Sequence, residues 1–417
     1  MFSNYFAIIT AGKFPFLSHR LVSIFYLKHF IPDVYILFMQ RFLWYICLVF
    51  GLLSGLPGQS TIRGLWVVRS ALEDSIHINQ MLYLANRLGF TDLFVQVRGR
   101  GDAYYNSQWE PKAPAVAADF DPLAYVLKHP LRSHFRIHAW INVFYIWSQP
   151  TPPGSPRHLI NQHPDWLERP ANVPLPTHFS QLWQYFRNQE GLYLSPHSHE
   201  AQLHLLRVIQ DLLQHYAVDG LHLDYIRYPD SRFGFHPEGV KIFQEQYQLN
   251  PLQLRLASTS LNDTLPIPYE TVLDHWSRFL QQQLNRFVWR VHRVVKQQHR
   301  PITLSAAVKP DLSRARWRFY QDWGFWLTQG WVDLVLPMNY EPNPSIFLWR
   351  IASMLQQLPA SKLVMGISLY NQSALAALNK MESVYQIGLR GVALFSYQQI
   401  IENPVLIEIL EEPKNWE

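Results

Sequence analysis

The chain reads as an α/β protein, an eight-stranded parallel β/α barrel of the TIM type with long loops after strands 3 and 4, and three features of the sequence carry that reading. Short apolar runs alternate with longer segments of helical periodicity. Several runs leave polar side chains on one face near their C-terminal ends, where parallel barrels place their chemistry. The connections after the third and fourth runs are too long to be plain crossovers. An open, doubly wound sheet is the alternative arrangement for the same rhythm.

Taken in chain order, residues 1–60 form a leader and 61–417 the barrel. Met39, Gln40 and Arg41 precede the apolar run 42–53 and the small and turn residues 54–60. That is the order of a secretory signal peptide with translation starting at Met39, and it predicts a protein exported to the periplasm, the cell envelope or the medium. The run is short for a membrane span and Arg41 interrupts its extension, so membrane contact is expected only through an uncleaved leader. The one cysteine, Cys47, lies in this leader, which leaves 61–417 without thiol or disulfide chemistry.

Strands are predicted at 64–69, 92–98, 136–143, 220–224, 302–308, 332–338, 363–369 and 391–396. Amphipathic helices are predicted between them, among others at 76–88, 201–216, 275–298 and 346–358. The loop 145–199 carries TPPGSP with many Pro, Trp and Tyr residues, and 230–274 carries a short helix at 240–247. Both loops follow strand ends at the catalytic mouth and read as walls of a groove.

With 48% hydrophobic and 16% charged residues the barrel can bury a sizeable core. The formal charge is +5, yet Lys and Arg are scattered and no basic run follows a phosphate backbone, so nucleic acid is not the expected partner. There is no phosphate-cradling glycine loop, His-Glu-x-x-His or paired-cysteine site, and no metal or cofactor is expected. Fifteen Trp, 21 Tyr and 25 Phe supply flat faces with polar tips, which suit sugar rings as well as core packing.

The densest cluster of chemistry is AVDGLHLDYIRYP, 217–229. Period-two alternation sets Leu221 and Leu223 on one face and Gly220, His222 and Asp224 on the other, and Tyr225, Arg227 and Tyr228 follow where the strand becomes a loop. Glycoside hydrolysis usually needs two carboxyl groups facing each other across the bond. Asp224 is the first candidate. Glu341, at the end of the sixth strand behind Asn339 and Tyr340, is the second, with Asp102 and Asp311 competing. Arg98 opens a charged turn with Arg100 and Asp102, and either arginine can hold Asp102 or Asp224 ionised. Trp140, Asn142, Trp147, Trp166, Tyr193 and Tyr370 are candidate subsite residues, Trp140 foremost because alternation sets it beside Asn142 and His138. His222 reads either as a proton carrier or substrate donor, or as a core histidine bonded to Asp224.

RGLWVVRS, LFVQVRGRGDAYYNSQWEP, HAWIN, YLSPHSHEAQLHLLRVIQDLLQHYAVDGLHLDYIRYP, DWGFWLTQGWVDLVLPMNY, MGISLY and GVALFSY stand in order along 63–396. In these motifs the chain resembles the bacterial family-10-like glycosyl hydrolases. The resemblance implies a β/α barrel with a polysaccharide-cleaving site at its C-terminal mouth, and it places the family's fourth-strand aspartate at Asp224. It also suggests cell-wall glycans as substrate. The family often shows two adjacent acidic residues in that motif, whereas here Tyr225 follows Asp224.

The expected function is therefore an exported glycoside hydrolase of a cell-wall glycan, such as peptidoglycan strands. Asp224 is expected as nucleophile or stabilising carboxylate, and Glu341 as general acid/base. Arg98, Asp102, Trp140, Asn142, His222, Tyr225, Arg227, Tyr228, Asn339, Tyr340 and Tyr370 are expected to orient sugar hydroxyls or tune those carboxylates. An N-acetyl carbonyl on the substrate can replace the protein nucleophile in such chemistry. The missing second acid motivates the alternative, a glycan-binding barrel that has lost catalysis and serves as an envelope scaffold.

Overall fold

The computed structural model describes residues 61–171, 173, 179–186, 190–252 and 269–411. The leader, with its signal-peptide assignment, lies outside them.

Ten strands appear among the described residues. They are β1 (Ile62–Val67), β2 (Asp92–Arg98), β3 (Arg136–Asn142), β4 (Tyr145–Trp147), β5 (Leu192–Tyr193), β6 (Gly220–Asp224), β7 (Thr303–Val308), β8 (Leu334–Pro337), β9 (Val364–Ser368) and β10 (Gly391–Phe395). Eight of them form one parallel sheet in the order β8-β7-β6-β3-β2-β1-β10-β9. Single bridges Val335–Leu363 and Met338–Gly366 join its two ends, so the sheet curls into a nearly closed barrel rather than an open doubly wound sheet. The remaining two, β4 and β5, pair antiparallel as a ribbon within the first long connection.

Amphipathic helices pack outside the strands, including α1 (Ser75–Arg87), α2 (His199–His215), α3 (Tyr269–Lys296), α4 (Leu312–Arg318), α5 (Pro344–Leu355) and α6 (Ala374–Ile387). Five of these starts are set by capping side chains. Asp74, Ser198, Asp311, Asn343 and Ser373 each accept a backbone N–H of the first turn. The second long connection carries a helix at Pro237–Tyr247, which begins three residues before the predicted one because Pro237 is favoured at a helix start. Wholly buried Glu168 ties the two connections together, accepting from Ser195 Oγ (2.7 Å) in the first and from Gly234 N (3.1 Å) in the second.

Alternation along the strands decides what faces the barrel axis. Ile62, Trp66, Phe94, Trp140, Leu336, Val364 and Ala393 form an inner apolar cluster separate from the larger core between strands and helices. Room for these rings comes from inward glycines. A Cβ on Gly64 would stand 2.9 Å from Phe94 Cε2, and one on Gly220 only 2.0 Å from His138 Nδ1. Below them Asp92 binds His138 Nε2 (3.0 Å) and Arg136 NH2 (2.6 Å).

Candidate active site

The inner residues at the C-terminal ends of the eight barrel strands open into a cleft of about 720 Å³. Its lining includes Trp66, Gln96, Asn142, Asp224, Lys309, Tyr340, Tyr370 and Phe395, drawn from the ends of all eight. Asp224 is only 7% exposed. Tyr225, directly after it, has a left-handed backbone (φ 50°), uncommon for a bulky residue, and this turns its N–H back onto Asp224 Oδ1 at 2.6 Å. Burial raises the Asp224 carboxyl, and the Tyr225 N–H and the Arg227 charge offset that only in part, leaving it at about 6.

A second carboxylate, Glu190, reaches this cleft from the loop before β5. Gly191 permits the approach, because its φ of 152° and the 2.1 Å separation of a would-be Cβ from Trp147 O exclude a side chain there. Glu190 Oε2 accepts from Arg227 NH2 (2.6 Å) and Tyr193 OH (2.7 Å), and Lys309 Nζ stands 3.9 Å from Oε1. Partial burial would raise this acid, but the two cations and the hydrogen bonds outweigh it and hold Glu190 at about 2, although its side chain is 48% exposed. Burial and the neighbouring Arg227 lower Lys309 to about 8. Arg227 lies 4.8 Å from the centroid of Tyr225, which stacks on Tyr145 at 4.5 Å.

Glu341 lines the same cleft. Its Oε2 lies 3.3 Å from Arg350 NH2 and its Oε1 accepts from Asn343 N. The charges that chiefly move Asp224 are those of Arg227, Glu190 and Lys309, and Glu341 is not among them. The aromatic side of the mouth is made by Trp66, Tyr340, Tyr370 and Phe395. Tyr340 stacks on Phe395 at 5.6 Å, and Tyr370 meets both edge-on with 55% of its surface exposed. On the floor, Trp140 Nε1 donates to Asn142 Oδ1 (3.1 Å) and Asn142 Nδ2 to Gly99 O (2.8 Å).

Asp224, Glu341, Trp140, Asn142, Tyr225, Arg227, Tyr340 and Tyr370 thus come together, as does the competing acid Asp311, whose Oδ1 caps α4 by accepting from Arg314 N (2.8 Å), whereas five other expected residues stand outside the lining. A register shift between Gln96 and Arg98 pairs Arg98 with Ile141, so its side chain leaves the barrel axis and forms a fully buried ion pair with Glu110 (2.9 Å). It therefore holds Glu110, not Asp102 or Asp224. Asp102 instead accepts from Arg100 N (2.8 Å) and closes the turn. His222 makes no hydrogen bond to Asp224. Its Nε2 accepts from Trp66 Nε1 (3.1 Å), which leaves Nδ1 to donate to Ser305 Oγ (2.9 Å), and burial pushes its pKa well below the ordinary value. Tyr228 is buried with its hydroxyl on His197 Nε2 (3.1 Å). Asn339 donates to Phe347 O and accepts from Arg350 NH1 (3.1 Å), and so acts on the cleft through Arg350.

Of the other aromatic candidates, Trp147 donates to Thr151 O, Trp166 stacks on His163, and Tyr193 is spent on Glu190. Sequence reasoning missed Glu190, Lys309 and Arg69. Lys309 was within reach, being in phase with Ser305 and Ala307 just past the fifth strand. Arg69 was absorbed into the predicted first strand, but β1 stops at Val67 and Arg69–Leu72 form a 3-10 turn over the mouth. Glu190 offered only the Glu-Gly pair as a signal. Among the described residues no group of three or more His, Cys, Asp or Glu could hold a metal, and no helix is long and apolar enough to cross a membrane.

Comparison with known proteins agrees with this architecture. "Glycosyl hydrolase YngK" of Bacillus subtilis is 23% identical over 274 residues, covering 61% of this chain and 46% of its own length. "Glycosyl hydrolase DigH" of Escherichia coli O6:H1 is 23% identical over 297 residues, 66% of this chain and 60% of its own. The chain therefore spans about half the length of these relatives. Among solved structures, the glycoside hydrolase domain of PgaB (BpsB) from Bordetella bronchiseptica superposes with a TM-score of 0.64 at 14% identity, covering 85% of this chain and 98% of that one. A β-galactosidase from Bacillus circulans superposes at 0.56 and 12% identity, over 81% of this chain and 50% of that one. At such identities these structures speak to the barrel fold. Residues 61–381 match the family model described as glycosyl hydrolase-like 10, and the chain belongs to that family.

Proposed function

We propose that this protein is an exported glycoside hydrolase that cleaves O-glycosidic bonds of a bacterial cell-wall glycan at the barrel mouth. The observation that carries the reading is a pair of carboxyl groups in one aromatic-walled cleft whose surroundings push them apart, Asp224 up to about 6 and Glu190 down to about 2. Environments that separate two acids in this way assign an acid and a base. Asp224 then gives its proton to the glycosidic oxygen as the bond to the anomeric carbon breaks. Water adds to that carbon and yields its proton to ionised Glu190, which Arg227 and Lys309 hold in place. This exchanges the role expected of Asp224, because burial favours its protonated form. Glu341, tied to Arg350, orients substrate at the rim.

The family model and the glycosyl hydrolase names of the relatives support a glycan-acting hydrolase, and the order of residues 39–60 supports export. The test is product analysis by mass spectrometry on peptide-free cell-wall glycan strands, chitin, xylan and α-glucan. Asp224→Asn and Glu190→Gln are expected to lower kcat by about 10²- to 10⁴-fold on the polymer that is cleaved, and Glu341→Gln far less. Undiminished turnover by Asp224→Asn would remove the mechanism. Binding of a glycan that is never cleaved would favour the scaffold alternative.

A further inference from the structure

The cleft contains one half-buried cation whose surroundings are unlike those of the others. Arg227 and Lys309 face Glu190, Arg350 faces Glu341, and Arg314, which has no ion pair among the described residues, is exposed rather than half-buried. Arg69 also lines the cleft, yet among the described residues no carboxylate stands within ion-pairing distance of its guanidinium. Asp102 and Glu73 act with Arg69 on the Tyr104 phenol, but neither pairs with it, and Asp102 already accepts from Arg100 N.

What holds Arg69 is neutral. Its backbone N–H and its NH1 both donate to Gln96 Oε1, at 3.3 and 3.2 Å. Gln96 is itself fixed by donating through Nε2 to Asn142 Oδ1 (3.3 Å). The stem of Arg69 passes over Gly99, where a Cβ would stand 2.7 Å from its Cδ and 3.1 Å from NH1. The side chain is therefore oriented by a neighbouring strand and by a glycine that makes room for it, while NH2 and Nε have no acceptor among the described groups. A guanidinium fork held in this way, beside the catalytic cleft and partly withdrawn from water, is built to take a carboxylate in two parallel hydrogen bonds.

We propose that Arg69 is the core of an anion subsite and that the glycan cleaved here bears a carboxylate on the sugar seated over Gln96 and Asn142. The proposal rests on the hydrolase reading above and narrows its substrate to acidic glycans. Arg69 supplies the charge and the fork, Gln96 sets the fork's direction, and Gly99 gives it space. A neutral polymer such as chitin or xylan would leave the fork unpaired, so the subsite discriminates between polymers of similar backbone.

The experiment compares peptide-free cell-wall glycan strands with the same strands after chemical reduction of their carboxyl groups to alcohols, a change that leaves backbone and linkage intact. For the wild type, reduction is expected to lower kcat/KM about tenfold or more, mostly through KM. Arg69→Gln is expected to act on both forms at the rate the wild type shows on the reduced one. Arg69→Lys, which keeps the charge without the fork, should fall between. A polyuronate run in parallel separates a carboxylate on the ring from one on a side group, according to which acidic polymer loses turnover in Arg69→Gln. Equal wild-type turnover of native and reduced strands would overturn the proposal even if Arg69→Gln failed to fold, as would a preference that survives Arg69→Gln. If no polymer is cleaved, calorimetric binding of the two strand forms decides the matter. Affinity that depends on both carboxyl and Arg69 keeps the subsite while the hydrolase reading falls, and affinity indifferent to them removes the subsite.

Discussion

At the scale of single residues, function here is a matter of which proton is held and where. Asp224 keeps its proton to about pH 6 because almost no water reaches it, and Glu190, in the same cleft, stays ionised because Arg227 and Lys309 outweigh its partial burial. The proposed mechanism therefore works with a protonated Asp224 and a charged Glu190. With Asp224 as the acid, kcat/KM is expected to fall as pH rises through about 6, tenfold for each further unit. Rates on one soluble oligosaccharide between pH 4 and 8 test this. A profile level across pH 6 would show that Asp224 is not the proton donor. His222 takes no part in the profile, since Trp66 and Ser305 occupy both its nitrogens.

At the scale of elements, alternation is what made the barrel legible. Gly220, His222 and Asp224, or Trp140 and Asn142, could be set on the inner face from sequence because a strand has a strict period of two. The same rule failed at Arg98, where one register shift turned an expected ligand outward into a buried pair with Glu110 and His204. Nothing in VQVRGRG announces that shift, which is set by how β2 and β3 pair. Glu190 was illegible for a different reason, for its partner Arg227 is 37 residues away and meets it only through the β4/β5 ribbon. The Arg98–Glu110 pair gives the element-scale prediction. Its side chains are both fully buried, so Glu110→Gln, which strands the Arg98 charge, is expected to cost about 3 to 5 kcal/mol in chemical denaturation. Arg98→Met with Glu110→Leu should recover much of it. A loss below about 1 kcal/mol in the single variant would mean that water reaches the pair.

At the scale of the whole molecule, several buried groups tilt stability against pH in opposite directions. Asp224 is raised to about 6 and Glu168 to about 7, both by burial, so the folded chain keeps protons that the unfolded chain has released. Their contribution falls as pH rises from about 4 to 7. His197, lowered to about 3, and His222, also lowered by burial, are neutral in the fold while the unfolded chain protonates them, so their contribution rises with pH up to about 6.5. Asp92 and Glu110, both held near 2 by their partners, add a loss as pH falls below about 4. Thermal unfolding of the wild type should change little between pH 4.5 and 6.5 and drop steeply below 4. With Asp224→Asn and Glu168→Gln combined, stability should instead climb across that window and exceed the wild type at pH 7. A double variant that tracks the wild type at every pH would show that neither acid is buried as the structure has it.

The alternation that lines the mouth also bears on how such a protein diverges. Each barrel strand offers its last one or two inward residues to the cleft, and the residue before each faces the helices instead. A replacement at Gln96, Ala307 or Met338 therefore alters what the mouth recognises without disturbing the layer of Phe94, Leu336 and Ala393 below it. Selection can thus explore new glycans one codon at a time, from a scaffold that need not be rebuilt at each step.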